Sequence, residues 1–230
     1  MGLRPVSELK NKHKDKDIYV LGSGATLNFI DKEFFKDKIT VSVNEVGSVY
    51  LPTTNYIVTK YHSDAQHWAR HIPDVKIVCS YGNTGANGAG KLSNEFDNLY
   101  EFEHNENYDK QTNILNEFPT GDNHLVVSWS SITSAIHLAA HLGAKNIILV
   151  AHDCGELDDK AWVDGYVYDT MLDDQEYINN VKSRAVLFEA QSIQLKQKLQ
   201  EVYGCNVYSL NPFINYSLEG HKYRGTSVIN

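Results

Sequence analysis

Four short segments of the sequence combine residue types that suit the binding of a phosphate or a sugar. The first is Gly22-Ser23-Gly24-Ala25-Thr26, the glycine loop, which follows an apolar run and precedes an amphipathic segment. Glycines there let the main chain approach a phosphate, and a helix N-terminus supplies N–H donors. Leu27 replaces the third glycine of a G-x-G-x-x-G fingerprint, which disfavours a nicotinamide dehydrogenase. The alternative is a tight turn that holds no ligand.

The second segment is a single polar residue, Asn44, at the end of the apolar run 39–43. Nucleotide-binding sheets place polar groups at this point to contact a ribose or a base. An asparagine both donates and accepts hydrogen bonds, which fits a base edge. The alternative is a turn residue at a strand end.

The third segment, residues 129–134, carries four hydroxyl groups at the predicted start of a helix. Ser130, Ser131 and Thr133 are the candidates in it for binding another part of the same phosphate or sugar. Helix capping explains one serine, and it remains the alternative for the segment as a whole.

The fourth segment is His152-Asp153, which follows the apolar run 146–150. His152 is a candidate general acid or base near neutral pH, and Asp153 is a candidate for binding a sugar hydroxyl or a metal ion. A packed or solvated histidine is the alternative for His152. His137 and His141 have the spacing of a metal pair but lack the glutamate of H-E-x-x-H, so we interpret them as packing or surface residues.

These segments must be positioned by strands that alternate with helices. Apolar runs predict strands at 17–22, 39–43, 56–59, 75–79, 125–129, 146–150 and 205–210. Amphipathic spacing predicts helices at 28–35, 132–142 and 175–203, the last two ended by Gly143 and Gly204. The alternation predicts an α/β fold of Rossmann-like type: an open, mainly parallel sheet with helices on both faces and functional loops at the carboxyl ends of its strands.

Composition favours one globular domain spanning residues 1–230. Of the 230 residues, 42% are hydrophobic and 22% are charged, and the net charge of −8 disfavours a nucleic-acid surface. No apolar stretch approaches the ~20 residues that span a membrane, and no secretory signal is evident. Cys79, Cys154 and Cys205 lack paired spacing, which argues against a zinc cluster and fits a cytoplasmic location. Residues 80–122 are predicted to be an irregular insertion, in which the glycine-rich stretch 82–90 forms a mobile loop. An oligomer is possible.

The four segments together resemble the bacterial sialyltransferases of glycosyltransferase family 42 and the related motility-accessory-factor glycosyltransferases. These share a Rossmann-like domain with 6-hydroxymethylpterin diphosphokinases. The resemblance is carried by IYVLGSGATLNFID, VSVNEV, SSITSAIHLAAHLGAKNIILVAHDCG and CNVYSLNP, which span most of the chain apart from residues 61–123. The chain departs from the sialyltransferases in having Ala151 where they carry a glycine, and no histidine between Asp153 and the last helix.

The resemblance implies a glycosyltransferase that moves a sugar from a CMP-sialic-acid-type donor to a hydroxyl of a glycan or another acceptor. It assigns phosphate and ribose to Gly22, Ser23, Gly24 and Thr26, the cytidine to Asn44, the donor to Ser130 and Ser131, and a nucleotide hydroxyl to Asp153. His152 is then the candidate base, and no cofactor is required besides the donor. The alternatives are a diphosphotransferase that uses Mg²⁺, placed by Asp153, and a nucleotide-binding protein without catalysis.

Overall fold

The computed structural model describes residues 3–81, 92–103, 114–116, 118–167, 176, 179, 183–210 and 223–225. For residues 223–225 it describes the backbone alone. Its strands are β1 Arg4–Pro5, β2 Asp17–Leu21, β3 Ile39–Val43, β4 Tyr56–Thr59, β5 Lys76–Ser80, β6 Leu99–Phe102, β7 Asn146–Val150, β8 Gly155–Leu157, β9 Asn206–Leu210 and β10 Tyr223–Gly225. Eight of them form one sheet in the order β1-β6-β5-β4-β3-β2-β7-β9, with every neighbouring pair parallel. β8 and β10 form a separate antiparallel pair.

Helices cover both faces of this sheet. On one face, α1 (His62–His71) packs Ala65 and Trp68 in one cluster with strand residues such as Ile57 and Ile77. On the other face lie α2 (Ser131–His141) and α3 (Ala185–Tyr203), which contact each other. Val58, which follows Ile57 in β4, belongs to the hydrophobic cluster that contains residues of α2 and α3. Because successive side chains of a strand point to opposite faces, the two clusters define the two layers. The predicted α/β fold with an open parallel sheet is confirmed.

The helix boundaries follow the expected local signals. The side chain of Ser130 caps α2 by accepting from Ile132 N, as a helix-capping serine does. Gly143 and Gly204 follow α2 and α3 with φ angles of 91° and 68°. This left-handed region is readily open to glycine, so both residues end their helices as predicted. None of the described helices is long and apolar enough to cross a membrane.

Two predicted elements have a different form in the structure. The predicted helix 28–35 is replaced by two short 3₁₀ turns, Ala25–Phe29 and Lys32–Phe35. The predicted strand 125–129 is not a strand, because side chains occupy its backbone groups. Val126 N donates to His137 Nδ1, Val126 O accepts from the Ser134 hydroxyl, and Ser128 O accepts from Lys60 Nζ. These bonds replace most of a ladder, and among the described residues only Leu125 N of this run donates to the backbone beside β6, at Glu103 O.

The part of the chain predicted to be irregular contains regular structure. β6 lies within residues 80–122 and pairs with β5. Outside this region, the structure also has a helix that was not predicted, α1, which precedes β5. The predicted loop 82–90 lies outside the described residues, as does most of 175–182. The single-domain organisation stays a prediction.

The order of the strands in the sheet reverses direction between β2 and β7. From the central strand β2, the chain builds β3, β4, β5 and β6 on one side, and then adds β7 and β9 on the other side. The loops that follow β2 and β7 therefore leave the same edge and turn in opposite directions. Open α/β sheets bind ligands at such a switch point. We call this place the β2–β7 crevice.

Candidate functional site

The glycine loop meets the segment after β7 at the β2–β7 crevice. Gly22 N donates to Val150 O at 2.8 Å, and Gly24 N donates to Ala151 O at 2.9 Å. A Cβ atom on either glycine would lie 2.6 Å from Ala151 O. The two glycines are therefore required for the close approach of two segments of the protein itself. The sequence had suggested that the close approach was to a ligand.

Asp153 lies against this loop and is bound by Thr26. Its Oδ2 accepts from Thr26 N at 2.9 Å, and its Oδ1 accepts from Thr26 Oγ1 at 2.5 Å. Asp153 is only 3% exposed, and burial raises the pKa of its carboxyl to about 6 against the two bonds from Thr26, which lower it. The crevice therefore contains a buried carboxyl group whose pKa is raised towards neutral pH.

Tyr166 joins the next two predicted site residues. Its buried hydroxyl lies beside the side chains of Ser23, Asn44 and Glu45 and interacts with all three. The loop that carries it is tied to the glycine loop, since Val163 N donates to Ser23 O at 2.9 Å. Burial, together with the charge of Glu45, raises the pKa of Tyr166, so its hydroxyl stays protonated. The structure thus places Ser23 and Asn44 around one phenol at the ends of β2 and β3.

A pocket of about 150 Å³ opens beside this cluster. Its polar lining comes from Glu45, Lys32 and Asp164, and its apolar lining includes Val46 and Tyr50. The Lys32 ammonium lies over the Tyr50 ring, 4.8 Å from its centroid. Burial raises the pKa of Glu45, with a smaller contribution from the charge of Asp64. The pocket thus places a carboxyl and an ammonium group around an apolar wall.

The side chain of His152 contacts α3 and not the glycine loop. Its Nε2 lies 2.7 Å from Ser192 Oγ, whose own proton is donated to Phe188 O. The imidazole therefore donates from Nε2 and ties the β7 end to α3. Burial lowers the pKa of His152 to about 4, so the ring is neutral at pH 7. In the folded chain His152 therefore makes a packing contact with α3, and its role as a base stays a prediction.

The hydroxyl cluster at α2 is used mainly within the protein. Thr133 is fully buried, donates to Ser130 O at 2.8 Å and lies 2.8 Å from Ser128 Oγ, and its predicted role in binding stays a prediction. Ser131 is 8% exposed and Ser130 caps the helix. The described bonds of these residues connect to the segment before α2 and do not include the glycine loop.

Sequence reasoning missed Glu45, Lys60 and Tyr166. Lys60 directly follows β4 and its Nζ donates to Ser128 O at 2.9 Å. Burial lowers the pKa of Lys60 to about 7. Glu45 and Lys60 each stand at a strand's carboxyl end, a signal that could have identified them. Tyr166 lies in an irregular loop, and its sequence position gives no comparable signal.

Both histidines of the pair on α2 are buried and make contacts within the protein. His137 Nδ1 accepts from Val126 N, and its Nε2 lies 2.9 Å from the Tyr203 hydroxyl. His141 Nε2 lies 3.2 Å from Val6 O. Within the described part of the chain, no three or more His, Cys, Asp or Glu residues form a group that could hold a metal ion.

Comparison with known proteins gives one structural similarity. No family model matches the sequence, and no curated protein matches it. A solved structure of the MAf glycosyltransferase from Magnetospirillum magneticum AMB-1 is similar to 67% of this chain, with 13% sequence identity and a TM-score of 0.43. The similar region makes up 25% of that protein's chain.

Proposed function

We propose that this chain is a glycosyltransferase that binds a nucleotide-activated sugar in the β2–β7 crevice. The observation that carries the proposal is the meeting of Thr26, Asp153, Ser23 and Asn44 at the ends of three adjacent strands. The resemblance to the family 42 and motility-accessory-factor glycosyltransferases implies contacts with phosphate, ribose and base for these residues. A crevice at the switch point of an open α/β sheet is where such ligands bind.

The proposed donor is a CMP-sialic-acid-type nucleotide sugar, and the acceptor is a hydroxyl of a glycan or another molecule. The bond between the anomeric carbon and the phosphate oxygen breaks, and its electron pair leaves with the phosphate. The acceptor oxygen forms the new bond and loses its proton to a base. Asp153 is our candidate for proton exchange, because its pKa of about 6 matches what a general acid or base needs near neutral pH.

Isothermal titration with CMP, UMP, GMP and AMP, each with and without Mg²⁺, tests the binding step. We expect CMP to bind without Mg²⁺. Thr26→Val should weaken CMP binding about tenfold, since it removes the hydroxyl that donates to Asp153 Oδ1 and holds the carboxyl proposed to contact the ligand. Thr53→Val is the matched control, because Thr53 is exposed in the turn before β4. Release of CMP from CMP-N-acetylneuraminate in the presence of acceptor glycans tests the transfer.

Three results would separate the candidate functions. Failure of all four nucleotides to bind, with or without Mg²⁺, would contradict the proposal. Binding that requires Mg²⁺, accompanied by diphosphate transfer to a pterin, would favour the diphosphotransferase. Binding of CMP with no turnover of any sugar donor would favour a nucleotide-binding protein without catalysis.

A further inference from the structure

Asn44 has a feature that the contacts of the folded chain leave unexplained. Its side chain lies beside the Tyr166 hydroxyl, yet its Oδ1 is buried and has no hydrogen-bond partner among the described residues. Buried polar atoms in native proteins are nearly always paired, so an exception requires an explanation. An oxygen can only be satisfied by a donor, which means an N–H or O–H group from outside the described contacts.

Glu45 supplies a second acceptor beside it. Its carboxylate accepts from the Tyr166 hydroxyl and from its own backbone N–H, and it lines the 150 Å³ pocket. A carboxylate has about four lone-pair positions, so these two bonds leave room for further donors. Two acceptors on consecutive residues at the end of β3 suit a ligand that presents two neighbouring donors.

The position of these acceptors identifies the ligand group. Glu45 follows the strand after the glycine loop, and an acidic residue about 20 positions beyond such a loop binds a ribose hydroxyl in dinucleotide-binding sheets. We propose that Glu45 and Asn44 together receive the 2′ and 3′ hydroxyls of a ribose, and that Glu45 makes the site selective for ribonucleotides over 2′-deoxyribonucleotides. This inference rests on the proposed nucleotide binding and adds to it the residue that recognises the ribose 2′ hydroxyl.

The pocket beside Glu45 is suited to the nucleobase attached to such a ribose. A whole small-molecule site usually measures about 300–1,000 Å³, so a pocket of about 150 Å³ accommodates only part of a ligand, such as one ring. Val46, Val49 and Tyr50 give it an apolar wall, and Lys32 provides a donor. The proposal therefore places the nucleobase in this pocket, next to the ribose.

Titration with matched ribose and deoxyribose nucleotides tests the proposal. Wild type should bind CMP about 10- to 100-fold more tightly than 2′-deoxy-CMP, because a hydrogen bond to a carboxylate is lost. Glu45→Gln should reduce that ratio to within about threefold by weakening CMP alone. Glu33→Gln, the same change at an exposed residue of the Lys32–Phe35 turn, is the control and should keep the wild-type ratio. AMP and 2′-deoxy-AMP should give the same pattern if adenine is the base that binds.

A second variant guards against a folding defect in Glu45→Gln. Asn44 has a φ angle of 46°, which glycine adopts without strain, so Asn44→Gly removes the amide and keeps the turn. It should reduce discrimination against 3′-deoxy-CMP, with circular dichroism confirming that both variants are folded. Equal binding of CMP and 2′-deoxy-CMP by wild type would overturn the ribose inference and leave nucleotide binding intact. Equal loss of both nucleotides in Glu45→Gln would also overturn it. Failure of wild type to bind any nucleotide would overturn the proposed function as well.

Discussion

Replacing Asp153 by asparagine should stabilise the protein at neutral pH. The side chain of asparagine has nearly the same shape, its Oδ1 can accept from Thr26 N, and its amide can donate to Thr26 Oγ1. Both contacts to Thr26, at 2.9 and 2.5 Å, can therefore be kept. What disappears is a carboxylate charge held in a site that is only 3% exposed. Burying a charge is costly, so its removal should raise the free energy of unfolding.

The size and the pH dependence follow from the pKa. Burial raises the pKa of Asp153 from 3.8 to about 6, so the folded protein holds this proton more tightly than the unfolded chain does. Stability from this group is therefore present below the unfolded value and is lost as the pH rises through about 6. At ~1.4 kcal/mol for each pH unit between the two pKa values, the loss is about 3 kcal/mol. Asp153→Asn should thus be about 2–3 kcal/mol more stable than wild type at about pH 7.5, and within about 1 kcal/mol of it at about pH 4.

Urea denaturation of the two proteins across this pH range measures the effect. The difference between them cancels the other titrating groups, which both proteins share, so its slope between about pH 4 and 6 reports Asp153 alone. The same variant should bind CMP about 1–3 kcal/mol more weakly, since Asp153 is proposed to contact the ligand. A pH-independent difference, or an Asp153→Asn protein that is less stable at about pH 7.5, would refute the argument. It would mean that the bonds from Thr26 outweigh burial.

Three further predictions concern the surroundings of Asp153. Gly24→Ala should destabilise the protein by about 2 kcal/mol or more in urea denaturation, since the new Cβ would lie 2.3 Å from Asp153 Oδ2 and 2.6 Å from Ala151 O. A Gly24→Ala protein of wild-type stability would contradict this contact. Ala151→Gly should stabilise by up to about 1 kcal/mol, because Ala151 has a φ of 52° and the cost of this conformation exceeds the added flexibility of glycine. A lower urea midpoint would show that this strain is absent. Tyr166→Phe should cost about 1–3 kcal/mol by removing a buried hydroxyl from its partly buried partners, whereas the exposed control Tyr81→Phe should cost almost nothing.

The apolar runs of the sequence predicted the centre of the sheet well. The strands at Ile39–Val43, Tyr56–Thr59 and Asn146–Val150 have the predicted bounds, because strands buried on both faces read as continuous apolar runs. The same pattern was wrong at 125–129. That run is buried, but side chains of α2 and Lys60, which follows β4, form hydrogen bonds with its backbone N–H and C=O groups. Burial is visible in a sequence, whereas the partner of a backbone group is not.

Helix α1 was missed because its apolar face is narrow. Only Ala65, Trp68 and Ala69 show the helical spacing, in a segment that is otherwise polar. β6 was missed for a related reason, since it consists of four residues inside a region rich in polar residues. Short elements at the side of a sheet carry little periodic signal, and their formation depends on the strands already beside them.

The candidate site was predictable only where residues directly follow strands. The glycine loop, Asn44 and Asp153 all meet this condition, and the parallel sheet brings them to one edge. Neighbours in sequence can still point in different directions, which is why Asp153 contacts Thr26 while His152 contacts Ser192. Tyr166 comes from a loop whose path depends on a tertiary bond between Val163 and Ser23, and no local pattern encodes that bond.

The two edges of the sheet differ in how well their polar groups and backbone are satisfied, and this difference supports a ligand site. At the amino edge, Thr40, Ser42 and Thr54 form hydrogen bonds among themselves. At the carboxyl edge, Ala151 and Cys154 adopt φ angles of 52° and 48°, which side chains of their type rarely adopt. Such strain costs about 1–3 kcal/mol at each residue and concentrates where proteins bind ligands. The buried Asp153 carboxyl and the unpaired Asn44 Oδ1 lie at the same edge. The proposed ligand, by donating hydrogen bonds at this edge, would pair the Asn44 Oδ1 that the described contacts leave unpaired.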